Sequence, residues 1–401
     1  MIGIVDFIVS LPALVFLVLA GFFLLEVVGS LFAARKPAKV VGERGPVCVI
    51  IPAHNEGEGV RATIADVLAQ VTPADRLIVV ADNCTDNTAD IAREGGAEVL
   101  ERKDDTRRGK GYALQFALDA IRHNPPTAVF FVDADCRLGA NAIDKTVGVA
   151  LATGRPAQAL YLMRAPSDAA LRMRVSEFAW RLMNDVRMRG LFRLFDTTRL
   201  TGAGMALPWA LAQDLQIGSG EIVEDLALAL ELTRNGAAPI MAADALITSE
   251  FPTEETAAAT QRARWEHGSL SLAKRHLGVL FLTSFAKRDG RLAAMALDLA
   301  IPPLTVFGAL LALAWVAAGA LALVGLKTAF ALLTIAAILF GVGLIVAWAR
   351  IGREILPLSA LVGVFGYLFS KGQVYGKDAR QSTKTWTRTG RAGDALRRDE
   401  E

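Results

Sequence analysis

Cysteine is scarce, with 3 in 401 residues. Cys48, Cys84 and Cys136 are odd in number, lie in or beside short apolar runs and show no zinc-ligand spacing. Neither a disulfide framework nor a zinc site fits them; reduced core thiols in a reducing compartment are expected. The first strand-like run, Val47–Ile51, is followed by no Gly-x-Gly-x-x-Gly turn, which argues against a dinucleotide-dependent oxidoreductase. No basic cluster precedes the first apolar stretch, so a cleaved secretory signal is not expected. A formal net charge of +2 gives no support to nucleic acid as a partner. Internal repeats and low-complexity segments are also missing.

What is present is a division between apolar and charged segments. Hydrophobic residues make up 53% and charged residues 21%, with a mean hydropathy of +0.38. Such a chain must segregate the two kinds. Three uncharged stretches, Phe7–Leu25, Ala300–Val324 and Ala329–Ala349, are near the ~20 residues needed to cross a bilayer core. Arg35, Lys36, Lys39 and Arg44 follow the first, and further basic residues crowd at Lys287–Arg291, Arg350–Arg353 and Lys371–Arg398. That distribution predicts an uncleaved anchor with its start outside and every basic cluster on the cytosolic face of a bacterial-type inner membrane. The run Ile355–Phe369 is short and holds Pro357, so it is expected to lie at the interface, as is Leu277–Phe285. The expected organisation is an anchor at 1–34, a catalytic domain at 45–270, an interfacial region at 271–291, spans at 292–325 and 329–350, an interfacial helix at 355–370 and a cytosolic tail at 371–401.

Within the central segment, apolar runs of strand length alternate with helical patterns. Val47–Ile51, Leu77–Ala81, Ala97–Leu100 and Ala128–Val132 read as strands; Val60–Gln70, Asn87–Glu94 and Tyr112–Arg122 read as the helices between them. This predicts an α/β fold with a mixed, mostly parallel sheet, whose chemistry collects at the carboxyl ends of the strands. Asp82 stands at one such end, and Asp133 and Asp135 at another. Two carboxylates one residue apart can reach one hard cation, Mg²⁺ or Mn²⁺, which takes its other ligands from phosphate and water; a solvated turn is the plainer alternative. Arg107-Arg108-Gly109-Lys110-Gly111 before a helix can cradle phosphates. Glu224-Asp225 opens the apolar helical run Leu226–Leu232, where acidic residues also suit the helix dipole. Thr201-Gly202-Ala203-Gly204 permits close backbone approach. Gln261, Arg264 and Trp265 share one helix face.

Taken in order, Ile50-Ile51-Pro52-Ala53-His54-Asn55-Glu56, Ala81-Asp82-Asn83-Cys84-Thr85-Asp86, Asp133-Ala134-Asp135, Val223-Glu224-Asp225 and Gln261-Arg262-Ala263-Arg264-Trp265 resemble the family 2 glycosyltransferases of the cellulose, chitin and hyaluronan synthase kind. The resemblance covers about residues 45 to 270. It implies a GT-A (Rossmann-like) domain, an inverting mechanism, a UDP-sugar donor and a divalent metal. It assigns Pro52, Glu56 and Asp82 to the nucleoside, Lys110 to the nucleotide, Asp133 to donor and metal, Asp135 to the metal, and Asp225, beside Glu224, to general-base catalysis. Gly202, Gly204, Gln261 and Trp265 would meet the acceptor, and Arg264 the departing diphosphate. The tail around Trp386, Arg388 and Arg391 resembles a gating loop over the donor; a lipid-gripping tail is its rival. The sequence departs from the family's Asp-Asp-Gly-Ser pattern, with Ala81 before Asp82 and Asn83-Cys84 after it. The expected function is transfer of a sugar to a lipid-linked or glycan acceptor at the membrane, in exopolysaccharide or glycolipid synthesis. A processive synthase and a non-catalytic nucleotide-sugar-binding module are the alternatives. Three spans are little material for a polymer pore, and the carboxylates argue against lost catalysis.

Overall fold

In the computed structural model, described for residues 2–32, 44–166, 168–218, 221–252 and 255–360, one sheet organises the central segment. Its strands are β1 (Val47–Ala53), β2 (Arg76–Asp82), β3 (Glu98–Arg102), β4 (Ala128–Phe131), β5 (Arg137–Leu138), β6 (Ala157–Arg164), β7 (Met205–Pro208) and β8 (Ile240–Glu250). The order is β3-β2-β1-β4-β7-β6-β8-β5. Neighbours are parallel from β3 to β4, antiparallel on both sides of β7, and parallel again between β6 and β8. The expected mixed sheet and the helices between its first four strands are present. Helices Gly59–Leu68, Thr88–Glu94 and Lys110–Ile121 make those connections.

The period of two along each strand divides the core. Cys48 and Ile50 of β1, with Ile78, Val80, Val129 and Phe131, belong to one apolar cluster; Val47, Val49 and Ile51, with Val79, Phe130 and Val132, belong to another. Both faces are therefore covered, which explains why these strands read as continuous apolar runs rather than alternating ones. The first cluster continues through Leu292 and Leu299 to Phe23, Phe307 and Phe340. The sheet's core and these apolar helices are thus one packed body on this side of the sheet.

Among the described residues, three helices are long and apolar enough to cross a membrane: Gly3–Gly29, Leu304–Ala322 and Thr328–Gly352. The side chain of Asp6 accepts from the backbone and hydroxyl of Thr328 at one end of the group, and Arg350 donates to the Ser30 hydroxyl at 2.9 Å at the other. The first and last helices accordingly run parallel, and the ends at Gly29, Leu304 and Gly352 share the side of the sheet domain. The expected single span over 292–325 is divided: Gly290–Ala300 is a separate helix, and Pro302-Pro303 precedes Leu304–Ala322. Proline disfavours continuing a helix through this point, and Asp298 is fully buried in the first piece. Nor is 271–291 a separate surface helix, because Glu255–Lys287 is one continuous helix of 33 residues. Of the run expected at 355–370, residues beyond 360 lie outside those described.

The domain is held to the first membrane helix by a close crossing and by buried charge. A Cβ placed on Gly190 would lie 1.7 Å from the Glu26 carbonyl oxygen, and one on Gly29 would meet Leu194 at 2.8 Å. Beside this crossing, Arg187 donates to Glu26 Oε2 at 2.6 Å and to Asp298 Oδ1 at 2.7 Å, and Arg199 pairs with the second oxygen of Asp298. Glu26 was passed over in the sequence because it follows an uncharged run. Gly190→Ala is expected to destabilise the protein by about 1–3 kcal/mol or more through overpacking. Gly278→Ala, at a helical position with nothing within 4 Å, should leave it unchanged or slightly stabilised. Thermal unfolding of both variants in detergent checks this; equal midpoints would show that the crossing is loosely packed.

Candidate active site

A cavity of about 870 Å³ opens where β1, β2 and β4 end, a size suited to a small organic ligand. Its lining joins Pro52, Glu56 and Asp82 to Lys110, Asp133 and Asp135, then to Gly202, Glu224 and Asp225, then to Gln261, Arg264 and Trp265. The motifs, scattered over some two hundred residues of sequence, converge because parallel strands present their carboxyl ends on one edge.

At the end beside β1 and β2, Asn55 and Asn83 have φ of 54° and 51°, left-handed conformations that asparagine tolerates. They turn the chain sharply after β1 and β2. Asp82 is not free to swing: Arg102, its register partner on β3, donates to Oδ1 at 2.6 Å, and both side chains are 8% exposed. Burial raises the Asp82 pKa against the opposing influence of Arg102. Arg102 also reaches Asp104 and the carbonyl of Arg107, and its guanidinium lies 5.7 Å from the Tyr112 ring centre. The sequence analysis missed Arg102, although a basic residue ending the neighbouring strand was the available signal. His54 Nδ1 lies 2.6 Å from the Asp82 carbonyl oxygen, so that nitrogen carries the hydrogen.

At the centre, Lys110 opens its helix and turns inward. Its ammonium pairs with Asp133 and donates to the Gly202 carbonyl at 2.9 Å. Burial opposes its charge, yet Asp133, Glu224 and Asp225 together raise its pKa, so Lys110 remains a cation. Arg107 and Arg108, by contrast, pair with Asp104 and Asp105. Gly111 has a packing role, since a Cβ there would meet the Ile217 carbonyl oxygen at 2.4 Å and Glu224 Cβ at 3.8 Å. Its bareness lets the Lys110 helix lie against the segment carrying Glu224 and Asp225. Burial, then the nearby Asp225 charge, raises the Glu224 pKa; burial also raises that of Asp225, against the lowering influence of Lys110. Two adjacent carboxyls whose proton affinities differ can take different protonation states near neutrality.

Gly202, with φ of 82°, lies below both functional groups: a Cβ there would sit 2.9 Å from Lys110 Nζ and 3.2 Å from Asp225 Oδ2. Gly204 does not join it. A Cβ on Gly204 would meet Ile247 at 2.7 Å and Ala159 at 2.8 Å, so its place is in the sheet behind the cavity. Asp133 and Asp135 both line the cavity at the end of β4, and their oxygen-only donor set fits a hard divalent cation completed by phosphate and water. Burial lowers the Arg264 pKa, and Glu224 is the carboxylate that offsets this. The Trp265 ring packs on Trp180, with centres 5.0 Å apart, and Trp180 donates to the Tyr161 carbonyl. Trp180 and Met183, also in the lining, went unnoticed in the sequence because Leu171–Arg181 and its π-helical continuation Leu182–Arg187 carry no recognisable motif, and Arg199, likewise in the lining, stands just ahead of the motif at Thr201–Gly204. Trp386, Arg388 and Arg391 lie outside the described residues.

Comparison with known proteins places this geometry. The family model described as "Glycosyltransferase like family 2" matches residues 44–268. A 4,4'-diaponeurosporenoate glycosyltransferase of Staphylococcus aureus is 39% identical over 88 residues, a stretch that covers 22% of this chain and 23% of that relative. A mannosyltransferase from Pyrobaculum calidifontis, solved with GDP-Man and Mn²⁺, superposes with a TM-score of 0.52 at 18% identity, covering 85% of this chain and 99% of the other. That likeness concerns the GT-A fold.

Two outcomes follow from the crowding around Gly202. Gly202→Ala should lower turnover on the order of a hundredfold, the scale of a small misplacement of reacting groups, as well as destabilise the fold modestly because a Cβ is placed at a left-handed φ. In Lys110→Met, loss of the cation that lowers the Asp225 pKa should move the acidic limb of the pH–rate profile to higher pH if Asp225 is the base that the sequence resemblance implies, since a base works unprotonated. A limb that stays in place would show that another group sets it.

Proposed function

The chain belongs to the glycosyltransferase-like family 2, and we propose that it catalyses an inverting transfer of a sugar from a nucleoside diphosphate, with UDP as the expected carrier, to a hydroxyl of a lipid-linked acceptor at the membrane. The observation that carries this reading is the convergence of Lys110, Asp133, Gly202 and Asp225 in one cavity at the strand ends. The nucleoside would lie against Pro52, Glu56 and Asp82, and the phosphates near Lys110 and Arg264.

In the proposed displacement, Asp225 takes the proton of the acceptor hydroxyl as its oxygen bonds to the anomeric carbon, while the bond from that carbon to the diphosphate breaks on the opposite side. The electron pair leaves with the phosphate. A divalent cation held by Asp133 and Asp135 would supply charge stabilisation to that leaving group. Lys110 and Arg264 contribute fixed positive charge from the protein. Glu224, with its raised pKa, can remain protonated beside Asp225 and so spare the base a neighbouring negative charge.

Single addition is favoured over extrusion of a polymer. Among the described residues, the three candidate spans contribute only Leu304 and Thr305 to the cavity lining, too little to wall a polymer channel. The positive-inside tendency supports a cytosolic catalytic domain in a plasma membrane.

Asp225→Asn should lower transfer by roughly a hundredfold or more while leaving nucleotide affinity near parental, the pattern for loss of a general base. Asp135→Ala should instead abolish Mn²⁺-dependent binding of the nucleoside diphosphate. Calorimetry with and without chelator, run beside transfer assays, separates the two. Near-parental transfer by the first variant, or equally tight binding in chelator, would remove the corresponding assignment.

A further inference from the structure

The cavity has an apolar end that the donor chemistry does not use. Val175, Ala179 and Met183 follow one another at four-residue spacing along the helical run Leu171–Arg187 and all line it. Leu299 and Ile301 face the same space, followed by Pro303 and Leu304, where the chain enters the helix Leu304–Ala322. The wall of the active site thus continues without a break into the first turn of a membrane-spanning helix. Helix Leu171–Arg181 contains no buried residue, so Val175 and Ala179 present an apolar stripe that the chain itself leaves incompletely covered.

The charge at this end is matched internally. Arg199 lines the cavity, but its guanidinium pairs with Asp298, which also receives Arg187, and Arg187 in turn pairs with Glu26. Two guanidinium groups face two carboxyl groups, so each cation of the cluster already has an internal partner. It fixes the mouth instead: Arg199 lies 2.9 Å from Met183 Sδ, and Leu299 directly follows Asp298.

We propose that this apolar end is the binding site for the first carbons of a lipid acceptor's hydrocarbon chain, which enters from the bilayer between Leu171–Arg187 and the Ile301–Leu304 turn and points its hydroxyl toward Asp225. This rests on the transferase reading and deepens it by naming an uncharged, chain-bearing alcohol as the acceptor class. Burying each methylene in such a groove favours binding independently of the sugar site. The spacing of Val175, Ala179 and Met183 supplies a continuous track for it.

The test uses the full chain in lipid nanodiscs and hexadecanol carrying a diazirine within its first six carbons. Irradiation should label Met183, Leu299 or Ile301. Val175→Asp and Ala179→Asp, on a helix with no buried residue, should fold normally but reduce that labelling on the order of tenfold, since each sets a charge in the apolar track. Binding of UDP with Mn²⁺ and slow hydrolysis of the donor by water should be unchanged in both. Labelling confined to Leu310, Leu313 and other exposed faces of the membrane helices, or labelling that ignores both substitutions, would overturn the proposal. Loss of nucleotide binding in the parental protein would instead overturn the transferase reading, whatever the labelling shows.

Discussion

Lys110 is the charge on which the active site depends. It lies among Asp133, Glu224 and Asp225, three carboxyl groups delivered by two segments far apart in sequence, and without a cation these groups would repel one another in a partly dry cavity. The ammonium draws them together and, through its hydrogen bond to Gly202, fixes the backbone beneath Asp225. The neighbouring sequence accommodates that position. Gly111 removes the side chain that would hold the Lys110 helix away from Ile217, and Gly202 removes the one that would fill the space between ammonium and base. A phosphate-bearing donor and a divalent cation would enter a site whose charges are already arranged in opposition, the condition for electrostatic stabilisation without reorganisation.

The same molecule must join the domain that carries this cavity to helices long and apolar enough to cross a membrane. Its solution is direct packing of the domain on the first membrane helix rather than a tether. Gly190 and Gly29 allow the backbones to approach closely, and Glu26, Arg187, Asp298 and Arg199 form a charge-matched cluster beside the contact. A buried cluster of this kind is weak evidence for stability but penalises any arrangement that separates its members. Arg199 and Met183 belong both to this contact and to the cavity wall, so the packing that joins the domain to the first apolar helix also shapes the cavity.

Much of this was legible in the sequence where local chemistry dictates structure. The strands β1 to β4 announced themselves as short apolar runs because both faces of the sheet are covered, and Asp82, Asp133 and Asp135 at their ends could be placed by that logic alone. The three apolar helices were evident from length and lack of charge. Long-range pairing was harder. The Asp82–Arg102 bond depends on which strand neighbours β2, and the Glu26–Arg187–Asp298 contacts join segments more than a hundred residues apart. Gly204 resembled Gly202 in sequence, and only the position of β8 separates a glycine under the base from one packed against Ile247. The break at Pro302-Pro303 was readable but was passed over in favour of the continuous apolar run.

The account stands on a single displacement in which Asp225 activates the acceptor on the face opposite the departing diphosphate. The most direct measurement is the anomeric configuration of the product formed from a nucleotide sugar of known α-configuration, ¹³C-labelled at the anomeric carbon, with bacterial membrane lipid as the acceptor source, read by NMR of the recovered glycolipid. The account predicts a β-linked product. An α-linked product would contradict it, because retention requires either a second displacement or attack from the face occupied by the leaving group.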